Sequence, residues 1–290
     1  MPLRWRPDGK YIKNLSHTRR IMPFIMHGRT ESTVFYEQHV EVEKTWAYVN
    51  EFRKRSGLKA SILHFIIWRA AQVLHKRPGL NRFVAGRRIY QRNDIWVSFS
   101  MKKEMKDEAP LVVVKKKIDP TWTFEETVKQ IQGGIEKGRR GGKSTSDLEM
   151  DLVFKLPNFM VSFFTWMLRT LNHFGLLPKA LIDGDELYGS LFIANLGSIG
   201  LQPAYHHLYN WGDIPIFMAL GSNEPRMMLD ERGRPAVKDM MTIRYSFDER
   251  INDGFYGIQA LELLKELVEN PELDISQEKK VDLPDEAPGV

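Results

Sequence analysis

Met241-Thr242-Ile243-Arg244-Tyr245-Ser246-Phe247, then Asp248-Glu249-Arg250-Ile251-Asn252-Asp253-Gly254, then Phe255 to Val268, is the stretch on which the fold turns. Its first seven residues are β-branched, aromatic and polar, as in a strand, and the run from Phe255 has helical spacing. The heptapeptide between them is densely charged and ends on Gly254, which would permit a tight turn into the closing helix. Taken alone, such a turn is ordinarily a solvated strand-to-helix corner, so the surrounding segments decide its meaning.

Working outward, Gly189-Ser190-Leu191-Phe192-Ile193-Ala194-Asn195-Leu196-Gly197-Ser198-Ile199-Gly200 and Ile214-Pro215-Ile216-Phe217-Met218-Ala219-Leu220-Gly221 read as two more strands ending in glycine-bearing turns. Upstream, Glu43 to Ser56 has helical spacing through Trp46, Val49 and Phe52 and stops at Gly57. Ser61 to Lys76 is a strongly apolar helix ended by Pro78-Gly79-Leu80-Asn81. Short β runs are expected at Arg87 to Gln91, Ile95 to Met101 and Leu111 to Lys115, with an amphipathic helix at Phe124 to Lys137.

The heptapeptide resembles D-H-R-x-x-D-G, the catalytic signature of the dihydrolipoyl acyltransferases of 2-oxo acid dehydrogenase complexes, which are related to chloramphenicol acetyltransferase. The Gly189 segment resembles that family's G-T-F-T-I-S-N-L-G, and Ile214 to Gly221 its A-I-L-G-V-G strand. Pro78 to Asn81 repeats its P-x-L-N, and Leu111 to Val114 stands where the family has L-V-V-P. The similarity runs from about Ser16 to about Asn270. It implies a chloramphenicol acetyltransferase-like α/β fold, a mixed-sheet sandwich, carrying an inserted apolar helical segment. It further implies coenzyme A or acyl-coenzyme A as a substrate, and a homotrimer with its active site between subunits.

Three departures bear on function. First, the family's second motif position is the histidine that takes the acceptor's proton, and here it is Glu249. A histidine titrates near 6.5 and a glutamate near 4.3, so a glutamate base is weaker by about two units unless desolvated. Glu249 is therefore either an altered base or a structural partner for an arginine or a backbone amide. Second, the hydroxyl that the family places before the Asn of N-L-G is replaced by Ala194, whose methyl cannot hydrogen-bond an oxyanion. Losing one such donor costs about 3 to 4 kcal/mol in serine proteases. Ser190 and Ser198 are the candidate replacements, and His206 and His207 the nearest alternative bases in sequence. The resemblance leaves Asp248, Arg250, Asp253, Gly254 and Asn195 in place, and implies that Asp253 holds the loop through Arg19 or Arg20.

The third departure is an insertion of about fifty residues, 141–188, too long for a plain loop. Within it, residues 152–175 read as a helix capped by Asn158 and stopped by Gly175. Its uncharged run falls short of the roughly 20 residues that span a bilayer. A core or subunit-interface helix is expected, with a membrane-surface contact or a lid over an acyl chain as the alternatives.

Composition bounds the remainder. The 290 residues, 42% hydrophobic and 27% charged, can bury a large core. Residues 1–15 read as an N-terminal arm, 16–270 as the catalytic domain and 271–290 as an acidic tail. The absence of cysteine excludes disulfides, thiolate zinc and a cysteine nucleophile. Met1 to Arg6 has no signal-peptide character, so a cytoplasmic location is expected. A net charge of +5 suits an anionic ligand. Basic residues without interleaved aromatics argue against nucleic acid. Gly138-Arg139-Arg140-Gly141-Gly142-Lys143-Ser144-Thr145 imitates a phosphate loop, but it lacks the first glycine and follows a helix rather than a strand. Asp183-Gly184-Asp185-Glu186 has no nearby histidine and reads as a turn, so no metal is expected. No lipoyl-bearing segment is present in these residues. Two classes stay open: an acyltransferase moving an acyl group between coenzyme A and a non-lipoyl small-molecule acceptor, or a non-catalytic trimeric scaffold or acyl-coenzyme A binding protein.

Overall fold

The computed structural model describes residues 5–102, 111–140, 155–229 and 232–275. A six-stranded mixed sheet runs in the order β2 (Thr33–Glu41), β9 (Pro235–Asp248), β8 (Ile216–Leu229), β7 (Leu191–Asn195), β5 (Trp96–Lys102), β6 (Leu111–Lys117). The β5, β7 and β8 strands are parallel and the remaining neighbours antiparallel. A second sheet has the order β1 (Gly9–Tyr11), β4 (Arg88–Arg92), β3 (Arg82–Ala85).

Strand periodicity sorts side chains to two faces of the large sheet. Leu191 and Ile193 of β7, and Ile216, Met218 and Leu220 of β8, enter the main core. That core is shared with helices α2 (Glu43–Ser56), α3 (Ile62–Lys76), α4 (Phe124–Arg140) and α7 (Gly254–Glu269). Phe192, Phe217 and Ala219 point the other way and form a smaller cluster with Leu208 and Ile214. Helix α2 stops where Gly57 turns left-handed, at φ 70°. Helix α3 buries Leu63, Phe65, Ile66, Ile67, Ala70 and Val73, as its strongly apolar sequence leads one to expect.

Helix α3 also buries His64, whose Nδ1 lies 2.6 Å from the Ser61 hydroxyl. Burial, with Arg53 nearby, pushes its pKa down from 6.5 to about 4. Between those values the unfolded chain binds a proton that the folded chain does not, so folding stability falls as pH drops from about 6.5 towards 4. The expected loss is on the order of 3 kcal/mol, read as a fall in urea midpoint across that window. His64→Gln should flatten the fall, and an unchanged profile in that variant would refute the assignment to His64.

Several segments differ from expectation. The N-terminal arm is built into the body from residue 5 onward: β1 pairs with β4, and Arg6 is buried. Arg6 bonds Asp8 at 2.8 Å and Asp213 at 3.4 Å, while Arg92 meets Asp213 at 2.6 Å. These two carboxylates carry the guanidiniums into the interior, and Arg6 also lies 4.9 Å from the centre of the Phe83 ring. A three-residue strand held by distant charges leaves no period to read. The tail likewise begins on the core, where the Pro271 carbonyl accepts from Arg69 at 2.5 Å and the Ile275 carbonyl from Lys76 at 2.7 Å. Residues 276–290 lie outside the described residues.

The strands β8 and β9 continue well past the expected runs, to Leu229 and back from Pro235, with an irregularity between Leu220 and Asn223. Beyond Met240 this hairpin has left the pairing with β2, and Met227, Leu229 and Val237 are exposed.

The insertion contains α5 (Asn158–Phe174), followed by the short α6 (Lys179–Gly184). Gly175 ends α5 as expected, at φ 77°, but Pro157 rather than Asn158 occupies the N-cap, with no side-chain bond. The expectation of a core helix is overturned: no residue of α5 is buried, and Trp166 is 61% exposed. Only Leu168 and Leu171 join a small cluster, with Leu177, Ile182 and Tyr188. Helical periodicity shows an apolar face, but not whether the same chain supplies its cover. No helix among the described residues is long and apolar enough to cross a membrane.

Candidate active site

The motif begins on the last residue of β9. The Asp248 carboxylate takes a two-pronged bond from Arg250, with Nε–Oδ1 at 2.8 Å and Nη2–Oδ2 at 2.7 Å, both side chains buried. Arg250 also donates through Nη1 to the carbonyls of Met26 and His27, at 3.3 and 3.4 Å, just after α1 (His17–Ile25). The following segment crosses behind the motif. Arg29 is buried and donates to the carbonyls of Gly212 and Ile214, while burial presses its pKa down against the pull of Asp248 and Asp213. This cage fixes where the next residue points.

Glu249 is held by its backbone. Its N–H donates to the Ser32 carbonyl at 3.0 Å, and its carbonyl accepts from Arg19 Nη1 at 2.5 Å. Its side chain is half-buried, and among the described residues its carboxylate has no hydrogen-bond or ion-pair partner. The arginine that could have neutralised it is taken by Asp248, and Arg19 bonds the peptide instead. The expected link from Asp253 to Arg19 or Arg20 is corrected as well: the Asp253 carboxylate caps α7, accepting from Tyr256 N–H at 2.7 Å. Arg20 lies on the exposed face of α1. Gly254 is not among the positive-φ glycines and a Cβ there would meet open space within this chain, so the tight turn expected at this position does not require glycine.

The tight approach lies one layer behind. A Cβ on Gly79, in Pro78-Gly79-Leu80-Asn81, would come within 2.4 Å of Asn252 Nδ2 and 2.8 Å of the Tyr256 ring. Gly79 N–H donates to Tyr256 Oη at 3.2 Å. The second close pair joins Gly197 to β8, where a Cβ would lie 2.2 Å from the Gly221 carbonyl oxygen. Gly79 is crowded by two side chains and Gly197 by the backbone of β8, contacts that sequence spacing alone does not reveal.

The oxyanion candidates are engaged elsewhere. Ser190 is buried, its hydroxyl accepting from Trp96 N–H at 3.0 Å. Ser198 donates its hydroxyl to the Asn195 carbonyl at 2.7 Å, while the Asn195 side chain caps Ser198 N–H at 3.2 Å. Asn195 is therefore a turn-forming residue within the chain. His206 stacks on Phe217 with ring centres 4.2 Å apart, and its Nδ1 lies 2.6 Å from the His207 carbonyl. That contact calls for the proton on Nδ1 and leaves Nε2 facing Tyr209 Oη at 3.4 Å. His207 is exposed beside it. The loop carrying both is pinned to the outer face of the sheet, where the Ser246 hydroxyl donates to the His206 carbonyl. Arg244 there donates to the Pro203 carbonyl and to Glu37, each at 2.5 Å.

The register measures how far the parts stand apart. Ala194 is level with Ala219, and Ala219 with Arg244, five residues before Glu249 along β9. At about 3.4 Å per residue and 4.8 Å per strand, Glu249 and Ala194 are roughly 20 Å apart within one chain. One chain does not bring the two altered positions together. The phosphate-loop imitation from Gly141 onward lies outside the described residues. Asp185 bonds Leu187 N–H and Trp211 Nε1, as a turn residue does. Among the described residues no three His, Asp or Glu side chains gather as a metal site.

Residues 180–275 match the family model described as 2-oxoacid dehydrogenases acyltransferase (catalytic domain). Over 238 residues the chain is 25% identical to the lipoamide acyltransferase component of the branched-chain alpha-keto acid dehydrogenase complex of Bacillus subtilis (strain 168), covering 80% of this chain and 45% of that protein. The chain thus spans about half the length of the curated relatives it matches. Among solved structures, a probable dihydrolipoamide acetyltransferase from Listeria monocytogenes aligns with a TM-score of 0.59 and 20% identity, over 90% of this chain and 95% of that one. A chloramphenicol acetyltransferase aligns at 0.52 and 11%, over 90% and 98%. The fold is that of these catalytic cores.

Proposed function

From a chain whose residues 180–275 match the 2-oxoacid dehydrogenase acyltransferase catalytic domain, we propose a coenzyme A-dependent acyltransferase that acts on a non-lipoyl acceptor from a homotrimer. The observation that carries this reading is the Glu249 carboxylate, half-buried and without a partner among the described residues, on a loop whose other charges are paired. In the reaction Glu249 takes the proton from the acceptor as its oxygen, nitrogen or sulfur attacks the thioester carbonyl carbon. Collapse of the tetrahedral intermediate breaks the carbon–sulfur bond, and the coenzyme A thiolate takes the proton back. Ala194 offers no donor to the oxyanion, so the acceptor is one whose transfer tolerates that loss, and dihydrolipoamide is a poor substrate.

The register supports self-association, since a site shared by Glu249 and the Ala194 region would have to be built from two copies. The distal hairpin of β8 and β9, with Met227, Leu229 and Val237 exposed, supplies apolar surface for such contacts. Contact with a membrane surface through the α5 face would add a third partner to the acyl donor and acceptor. In sedimentation equilibrium the protein is expected at three times the 33.8 kDa chain mass, with coenzyme A binding by calorimetry and slow acetylation of dihydrolipoamide. A stable monomer would remove the shared site, and efficient dihydrolipoamide acetylation would remove the non-lipoyl acceptor. Failure to bind coenzyme A would transfer the assignment to a non-catalytic scaffold.

A further inference from the structure

A cleft of about 430 Å³ opens between α1, the turn joining β3 to β4, and the C-terminal end of α5. Arg20, Arg87, Arg88 and His173 line it, over an aromatic floor of Tyr11 and Phe24, and none of its described lining residues is acidic. Two of the guanidiniums lie over that floor: Arg87 is 5.7 Å from the centre of the Phe24 ring and Arg88 is 5.8 Å from that of Tyr11. Arg87 holds a left-handed backbone, at φ 59°, which is uncommon outside glycine, and it follows Gly86 at 56°. The turn therefore directs an exposed cation towards the cleft from a fixed backbone.

The surface around the cleft is apolar. Ile21, Phe24 and Ile25 of α1 are exposed at helical spacing, as are Phe159, Phe163 and Trp166 of α5. From Lys155 through Ile182 the sequence has Lys155, Arg169 and Lys179 but no aspartate or glutamate. An aromatic helix face that carries Arg169 and no acid has the pattern of an element lying in the interface of an anionic bilayer. Planar guanidiniums pair well with phosphate oxygens.

We propose that this cleft is a phosphate-headgroup site for an anionic membrane phospholipid, and that α1 and α5 lie beside it with their apolar faces in the lipid interface. The proposal rests on this surface alone and is independent of the role given to Glu249. It is tested by co-sedimenting the full chain with phosphatidylcholine vesicles, with and without phosphatidylglycerol, beside two double variants. Binding is expected only with phosphatidylglycerol. Arg20→Glu with Arg87→Glu should weaken it roughly tenfold or more, and Phe163→Ser with Trp166→Ser should abolish it, each with the oligomeric mass unchanged. Calorimetric binding of coenzyme A should be the same in all three proteins. Equal binding to neutral vesicles, or no vesicle binding at all, would overturn the proposal. Loss of oligomeric mass in the aromatic variant would make the α5 face a contact between copies, and loss of coenzyme A binding in the arginine variant would make the cleft a coenzyme A site. Either result also overturns it.

Discussion

Glu249→Gln is expected to lower acyl transfer from acetyl-coenzyme A by about 10²- to 10⁴-fold, the range associated with removing a general base, while leaving stability and coenzyme A affinity nearly unchanged. The amide keeps the shape and removes the basic oxygen. Both backbone bonds of residue 249, to Ser32 and Arg19, survive the change because neither involves the side chain. The assay follows thiol release with a panel of hydroxyl, amine and thiol acceptors, with dihydrolipoamide as reference. Glu249→His should restore little dihydrolipoamide activity, because residue 194 would still be alanine and the oxyanion donor still missing. If Glu249→Gln retained full activity on whichever acceptor the panel identifies, the base would pass to His206, whose Nε2 faces Tyr209, or to the exposed His207.

Asp248→Ala should cost about 3 to 5 kcal/mol of folding stability, as removing one partner of a buried ion pair does. Arg250 would keep its buried charge and its bonds to the Met26 and His27 carbonyls but lose both carboxylate contacts. Urea denaturation followed by far-ultraviolet circular dichroism measures the shift. Asp248→Asn, which retains one acceptor oxygen, should lose less. Asp248→Ala with a wild-type midpoint would mean that the pair does not hold the loop. Together these variants test separate roles for adjacent residues, with position 248 expected to govern whether the loop forms and position 249 whether it reacts.

Much of the architecture was legible from local pattern. The helix after Gly254 buries one face, and such burial imposes a period on sequence; the strand through Met241 to Phe247 and helix α3 are buried on nearly all sides and are legible instead from β-branched and aromatic content and from a continuous apolar run. The N-L-G and P-x-L-N segments were legible as motifs, but the reason for their glycines was not. Gly79 against Asn252, and Gly197 against the Gly221 carbonyl, are contacts between segments far apart in the chain. The N-terminal segment carries no local sign of its place for the same reason, since Arg6 is tied to Asp213 across more than two hundred residues.

At the candidate site residue identities alone state the chemistry on offer: a carboxylate where the resembling family has an imidazole, and a methyl where it has a hydroxyl. Which neighbours those groups meet is set by the three-dimensional fold. It gave Arg250 to Asp248, Arg19 to the Glu249 carbonyl and Asp253 to the cap of α7, leaving the Glu249 carboxylate unpaired among the described residues. It also placed α5 with its aromatic face uncovered. The physical reason is that periodicity records only that a side chain is apolar or charged. Which partner satisfies it is a matter of distance in three dimensions, set by the register of the sheet and by segments that sequence order keeps apart.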